Sequence, residues 1–304
     1  MMRYAVRHET HYAYAAPVDL GSHVLRLTPL NAAGQRVLRQ QLTIEPHPDQ
    51  FVAFMDHFGN AVHHVAVETI HDRFSVTLEA EVEIERPVRV DRGPPWETIC
   101  AAMRGDGFPA LPEIAEFIYP SPLAAFDREA TLYAAQSFAA ERPLIDALAD
   151  LTARIHRDFA YTPNVTTVST RVAEIIATKR GVCQDFSHLM IAGLRGLGLP
   201  ARYVSGYIRT RPPEGGRARQ GGDASHAWVS AWCGEELGWV ELDPTNDLIV
   251  ENEHVVVAYG RDFSDVTPLR GVILGGGSHS LTVNVQLAEL PTDATDELPA
   301  ISAG

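Results

Sequence analysis

The chain has 304 residues, 45% hydrophobic and 21% charged, a composition typical of a globular protein long enough for two domains. Lys and Arg number 25 against 39 Asp and Glu, a formal net charge of -14. We therefore exclude a nucleic acid and an anionic membrane surface as partners, because both require a cationic face. Three cysteines are too few for a disulfide framework, and we see neither a signal peptide nor a membrane-spanning segment. A cytoplasmic protein is expected.

Residues 1–90 are predicted to form an antiparallel β-sandwich domain. Short segments with alternating apolar and polar residues indicate half-buried strands. The clearest of these segments places on one face Val76, Leu78, Ala80, Val82 and Ile84. Turn signals at 46–49 and 58–60 separate the strands at the spacing typical of a sandwich.

Proline-rich residues 91–126 are interpreted as a linker, and residues 127–290 as a second domain of α+β class. In this second domain, helical patterns come first and antiparallel strands follow. The helix from about Cys183 repeats apolar residues at helical spacing and ends at Gly198. The strands that follow it are predicted around 201–208, 224–232, 238–244, 255–258 and 281–285. Residues 291–304 are acidic and are expected to form a solvated tail.

Cys183 is the first candidate for chemistry because it lies at or near the first turn of its helix. Free N–H groups and the helix dipole there favour a thiolate over a thiol. A thiol site also needs an imidazole to pair with the sulfur and an acceptor to orient that imidazole. His226 lies on the next predicted strand but one and Asp243 near the end of the strand after it, so a hairpin would bring them together.

Three segments together resemble the bacterial transglutaminase-like superfamily: residues 181–188 (GVCQDFSH), 225–229 (SHAWV) and 239–246 (WVELDPTN). Residues 4–29, 260–266 and 270–277 also resemble one bacterial branch of it, so the resemblance covers nearly the whole chain. It implies a papain-like core in which a cysteine helix packs on an antiparallel sheet. It further implies Cys183 as nucleophile, His226 as general base and acid, and Asp243 as orienting carboxylate.

No cofactor is implied by this resemblance, and no acidic loop with calcium-ligand spacing is present in the sequence. We also expect no metal site. A zinc set drawn from Cys183, His188, His226 and Cys233 would lack a Cys-x-x-Cys pair. Asp223 is a second candidate partner for His226, but it lies in a loop, so Asp243 is preferred.

The oxyanion hole is assigned to the backbone N–H of Cys183, with Tyr161 as candidate second donor. Tyr161 has an alternative role in packing between helix and sheet. Gln184 and Trp228 are candidate substrate contacts, and Trp228 has an alternative role in the sheet core. Asp185 is expected to cap the helix or to pair locally with Arg180.

These residues predict acyl transfer at a peptide or amide carbonyl through a thioester on Cys183. The acceptor is either water, as in a protease or amidase, or an amine, as in a transglutaminase. We favour hydrolysis, because water needs no dedicated acceptor site. The alternatives are a non-catalytic interaction module that kept the fold, and a zinc hydrolase. A peptide or protein substrate is expected, chosen by loop 209–222 and the β domain, and the oligomeric state is left open.

Overall fold

The fold is described from a computed structural model that covers residues 1–86, 91–105, 112–210, 219–221 and 225–291. In chain order these residues form β1 (Met2–Leu25), β2 (Gln35–Glu45), β3 (Gln50–Met55), β4 (Ala61–Val67), β5 (His71–Ile84), α1 (Trp96–Met103), α2 (Pro112–Ala115), a 3-10 turn (Glu116–Ile118), α3 (Arg128–Ala135), α4 (Leu144–Asp158), β6 (Ala160–Tyr161), α5 (Val172–Thr178), β7 (Arg180–Gly181), α6 (Cys183–Leu197), β8 (Ala201–Ile208), β9 (His226–Trp232), β10 (Trp239–Asp243), β11 (Leu248–Ile249), β12 (His254–Gly260), α7 (Phe263–Val266), β13 (Leu269–Gly275) and β14 (His279–Leu290).

The N-terminal strands form one antiparallel sheet that curls around β1. The first half of β1 pairs with β5 and β14, and its second half pairs with β4 and β13. The pairing with β5 shifts register between Ala13 and Val18, where β1 passes from one half of the sheet to the other. The ring of His23 stacks on that of Phe74 at 4.1 Å, so the halves face each other. The two layers expected of a sandwich are therefore halves of one seven-stranded sheet.

The last two strands differ from the sequence-based domain limits. Residues 269–290 were predicted within the second domain, but β13 and β14 pair with β1 in the N-terminal sheet. An alternating pattern marks a strand but does not identify its partner, which here lies more than 240 residues away. The predicted linker is likewise partly structured, since α1 buries Ile99 and Cys100.

The second sheet is antiparallel, with the order β11-β10-β9-β8-β12, and α6 packs against β8 and β9. Helix α6 is buried along most of its length and also packs against α3. A Cβ at Gly193 would lie 2.8 Å from Cβ of Ala134, so this glycine permits the close helix contact. The predicted mixed fold, with a cysteine helix on an antiparallel sheet, is confirmed. Among the helices that the structure describes, none is long and apolar enough to cross a membrane.

Candidate active site

Cys183 is the first residue of α6, and the turn before it is fixed by Asp185. The carboxylate of Asp185 accepts hydrogen bonds from the Val182 N–H at 2.8 Å and from the Thr166 hydroxyl at 2.7 Å. A Cβ at Gly181 would lie 2.8 Å from the Asp185 side chain, which explains the glycine. Asp185 therefore caps the helix and does not pair with Arg180, whose Nε lies 3.5 Å from the Thr162 hydroxyl. Burial raises the pKa of Asp185, and its two hydrogen bonds oppose that shift.

A short parallel ladder guides the chain into this helix. In it, β6 pairs with β7, with Tyr161 in register with Gly181. The Thr162 N–H donates to the Gly181 carbonyl at 2.8 Å. The ring of Tyr161 is half-buried and packs against the main core. The structure thus brings Tyr161 beside the segment leading to Cys183, and its role as oxyanion donor stays a prediction.

His226 and Asp243 are joined by a hydrogen bond between neighbouring strands. His226 is the first residue of β9 and Asp243 is the last residue of β10. Nε2 of His226 lies 2.8 Å from Oδ2 of Asp243, and both side chains are completely buried. The other ring nitrogen, Nδ1, has no hydrogen-bond partner of normal geometry, which leaves it available to the Cys183 thiol.

The electrostatics of this pair favour the charged forms. Burial alone lowers the pKa of His226, but the charge of Asp243 and the hydrogen bond to it, together with the attraction between the imidazolium and the Cys183 sulfur, raise it to about 10. Burial alone raises the pKa of Asp243, but the charge and hydrogen bond of His226 hold it well below the usual range. The site therefore keeps a carboxylate that stabilises an imidazolium beside the sulfur.

Asp243 accepts hydrogen bonds from two further side chains, which the sequence analysis did not assign to it. His254 Nε2 lies 3.1 Å, and Asn246 Nδ2 2.8 Å, from the same Oδ2 that His226 uses. The other oxygen accepts from the backbone N–H groups of Thr245 at 2.9 Å and Asn246 at 3.2 Å. Asn246 lies in the turn after β10 and also binds Asp243. His254 was missed, because no spacing connects it to Asp243.

The two candidate substrate contacts have different surroundings. Gln184 is half-buried, and its amide donates to the Val168 carbonyl at 3.2 Å. Trp228 is 0% exposed, and its indole N–H donates to Glu241 at 3.0 Å. The expected substrate contact of Trp228 is therefore contradicted. Side chains alternate between the two faces along β9, and that of Trp228 packs in a second, smaller hydrophobic cluster.

The zinc set that was considered and disfavoured from the sequence has other contacts in the part of the chain that the structure describes. His188 Nε2 accepts from the Phe263 N–H at 3.2 Å, and Cys233 donates to the Ala231 carbonyl at 3.6 Å. One group does offer three ligand atoms within 4.8 Å, namely His226, Asp243 and His254. Its distances are those of hydrogen bonds, and the Asn246 amide also donates to Oδ2, which argues against a bound cation.

The described end of loop 209–222 lies against the histidine. A Cβ at Gly221 would be 2.5 Å from Nδ1 of His226. The next residue back, Gln220, exchanges backbone hydrogen bonds with the Asn246 amide at 2.8 and 3.2 Å. Residues 211–218 and 222–224 lie outside the described residues, and with them the alternative partner Asp223.

A cavity of about 520 Å³ lies between the N-terminal sheet and a wall formed by α7 and loop residues of the second part of the chain. Its wall includes Ser225, which directly precedes His226. It also includes Val168, whose carbonyl accepts a hydrogen bond from Gln184, the residue after Cys183. The N-terminal sheet contributes Tyr12 and Leu281 to the same wall. The lining is mainly apolar, and both parts of the chain contribute to it.

Cys183 at a helix start and the His226–Asp243 pair on the antiparallel sheet against which that helix packs belong to one mixed α/β fold. Comparison with known proteins agrees. Residues 4–83 match the bacterial transglutaminase-like N-terminal region, and residues 133–244 match the transglutaminase-like superfamily. An uncharacterized protein of Mycobacterium tuberculosis is 39% identical over 303 residues, covering 96% of this chain and 94% of its own. The chain belongs to the transglutaminase-like superfamily, a family of cysteine-dependent enzymes.

Two further proteins are similar to this chain, one over nearly its whole length and one over a part of it. A solved structure from Cytophaga hutchinsonii, provisionally described as a cysteine protease, has a TM-score of 0.75 at 24% identity, over 97% of this chain and 92% of its own. That likeness shows the fold. A protein-glutamine gamma-glutamyltransferase of Pseudomonas aeruginosa is 33% identical over 105 residues, which are 32% of this chain and 15% of its own.

Proposed function

We propose that the protein is a cysteine protease or amidase that cleaves a peptide or amide bond through a thioester on Cys183. The Cys183 sulfur attacks the carbonyl carbon, and the resulting oxyanion accepts a hydrogen bond from the Cys183 backbone N–H. His226 then gives its proton to the leaving amine. In the second half, His226 takes a proton from water, which attacks the thioester and releases the acid.

One observation carries this proposal, the hydrogen bond of 2.8 Å between His226 and Asp243. It uses Nε2, so the nitrogen left over is the one that the thiol of Cys183 can reach. What distinguishes His226 from the other buried histidines is its interaction with the Cys183 sulfur, which acts together with Asp243 to raise its pKa.

Hydrolysis is our preferred outcome, because water requires no acceptor site of its own. A transglutaminase, in which an amine attacks the thioester, is the second candidate. The similarity to the Pseudomonas enzyme supports it, although that similarity spans only 105 residues. We further propose a cytoplasmic location, which three free, buried cysteines support.

Alkylation by iodoacetamide at neutral pH tests the nucleophile. We expect Cys183 to react faster than the buried Cys100 and Cys233, and His226→Ala to remove this advantage. Peptide and protein substrates then separate the reactions. New amino termini indicate a protease, ammonia alone indicates an amidase, and incorporation of a labelled primary amine indicates a transglutaminase. If the Cys183→Ala variant gives the same products as the natural chain, the proposed function is wrong.

A further inference from the structure

The Oδ2 atom of Asp243 accepts hydrogen bonds from an unusually large number of side chains. Three side chains from three different elements converge on it: His226 of β9 at 2.8 Å, His254 of β12 at 3.1 Å and Asn246 of the turn after β10 at 2.8 Å. A carboxylate oxygen has two lone-pair directions in its plane, so each added donor further restricts its orientation. His254 is the donor whose purpose the reaction steps do not explain.

His254 is held in place along its backbone and its ring. Its carbonyl accepts a hydrogen bond of 2.9 Å from the guanidinium of Arg86, which follows the last residues of β5. Its ring meets the Trp228 indole edge-on, with centroids 5.0 Å apart and planes at 67°. The Trp228 ring in turn lies at 26° to the His226 ring, 6.0 Å away. The indole therefore packs against both imidazoles.

A glycine on the intervening strand leaves room for this arrangement. A Cβ at Gly206 would lie 2.5 Å from the Trp228 ring and 2.0 Å from the Val255 carbonyl oxygen. Gly206 is in register with His226 on one side and Val256 on the other. Any side chain at this position would displace the indole, and with it the contact that orients His254.

The hydrogen-bonding pattern fixes the protonation of His254. An ionised carboxylate only accepts, so Nε2 of His254 must carry the hydrogen. Nδ1 is buried without a partner, as expected of a neutral ring. Burial, His226 and Arg86 lower the pKa of His254 and the hydrogen bond to Asp243 raises it, with a net lowering. His254 is therefore a neutral donor and is unsuited to be the base.

We propose that His254 is a positioning residue, which fixes the Asp243 carboxylate through Oδ2 and thereby sets the orientation of the His226 ring toward Cys183. This inference rests on the proposed function for its consequence in catalysis. Its structural content, the hold on His226, is independent of any activity. Because the donor itself matters, a side chain that retains an N–H at the same place should retain most of the effect.

Two substitutions of His254 distinguish the effect of its N–H donor from the effect of its size. His254→Gln places an amide N–H near the position of Nε2, whereas His254→Phe keeps a ring and removes the donor. We expect His254→Phe to slow alkylation of Cys183, and any peptide hydrolysis, by about 10- to 100-fold, the size expected of a hydrogen bond to a charged group. His254→Gln should stay within about 3-fold of the natural chain, and turnover should change more than KM.

A double-mutant cycle distinguishes positioning from general destabilisation. In an Asp243→Ala background His254 has no carboxylate to fix, so His254→Phe should have little further effect on alkylation. Multiplication of the two effects would show that His254 acts by another route. Circular dichroism melting of each variant identifies any that are not folded at the assay temperature, and His254→Gln then serves as the comparison.

Nitrogen NMR of the histidine rings provides the readout that does not depend on activity. We expect His254 as the neutral Nε2–H tautomer in the natural chain. In His254→Phe we expect broadened or shifted His226 signals, because the His226 ring is then no longer held in a single orientation. Unchanged His226 signals together with unchanged alkylation in a folded His254→Phe variant would overturn the inference. If instead Cys183 of the natural chain reacts no faster than in His226→Ala, the proposed function fails, while the NMR result still decides the role of His254.

Discussion

Gly221 lies against the His226 ring, beside Nδ1, the nitrogen that interacts with the Cys183 sulfur in the proposed mechanism. A Cβ at Gly221 would sit 2.5 Å from Nδ1 and 3.0 Å from Cε1 of that ring. The φ angle of Gly221 is +89°, a conformation that residues with a side chain rarely adopt. The backbone of the loop therefore lies too close to the histidine for a side chain to fit between them, and this contact helps to enclose the site.

Replacing Gly221 by alanine should therefore affect activity more than stability. The added methyl group must push the loop or the His226 ring aside, and a displacement of this kind costs on the order of 100-fold in rate. The matched control is Gly59→Ala, since Gly59 has φ +79° and its Cβ would meet nothing within 4 Å. Both variants should lose about 1 kcal/mol of unfolding free energy. Equal activity of the two would contradict the contact.

Asp243→Asn should leave the fold in place and disable the site. Both oxygens of Asp243 accept hydrogen bonds, so the NH₂ group of an asparagine would face donors in place of one of them. An N–H that points at Nε2 of His226 would favour the tautomer that carries its hydrogen on Nδ1. We expect alkylation and hydrolysis to fall by roughly 100- to 10,000-fold. Asp158→Asn is a control, because that carboxylate binds Tyr133 and Arg157 on the surface of the core. A loss of less than 10-fold in Asp243→Asn would argue that Asp243 is not the orienting group.

Asp185→Ala tests the helix start. It leaves the Val182 N–H and the Thr166 hydroxyl without their acceptor. The loss of such a cap costs about 1–2 kcal/mol of unfolding free energy. Chemical denaturation measures this change, and alkylation of Cys183 should slow in parallel. Asp146→Ala, in the first turn of α4, loses an ion pair of 3.3 Å to the exposed Arg92 and should cost less than about 1 kcal/mol. Similar costs would mean that Asp185 is not a functional cap.

Acid should unfold the protein partly through buried neutral histidines. Burial lowers the pKa of His8, His23 and His188 to about 4 in each case. The unfolded chain then binds more protons than the folded one below pH 6.5, so stability falls as the pH drops from about 6.5 to 4. His8→Gln should reduce this loss by on the order of 2–3 kcal/mol near pH 4. Denaturation midpoints against pH measure it, with the exposed His11→Gln as control, and equal slopes would contradict the prediction.

The sequence was most informative where local chemistry determines the arrangement. Helix spacing after Cys183, the glycine before it and the capping position of Asp185 all depend on residues within one or two turns. His226 and Asp243 lie on strands that a hairpin brings together, and the structure brings them to 2.8 Å. Their chemical roles stay predictions until the reactions are measured.

Long-range pairing was beyond reach of the sequence. Strand β14 shows the alternation of any strand, and nothing local indicates that Val6 would pair with Leu287. The same is true of His254, which reaches Asp243 although β9 and β8 lie between their strands in the sheet, and beside which Gly206 makes room for Trp228. Burial of Trp228 depends on which face of β9 meets the N-terminal sheet, and this is likewise a property of the whole fold.

The most direct test of the account is to trap the acyl-enzyme. The full-length chain is incubated with a peptide mixture, quenched in acid within seconds and digested, and mass spectrometry locates the acyl group. We predict a thioester on Cys183 in the natural chain, more of it in a variant that is slowed in hydrolysis, and none in Cys183→Ala. Acylation absent from Cys183, or found equally on Cys100 or Cys233, would contradict the claim that Cys183 is the nucleophile.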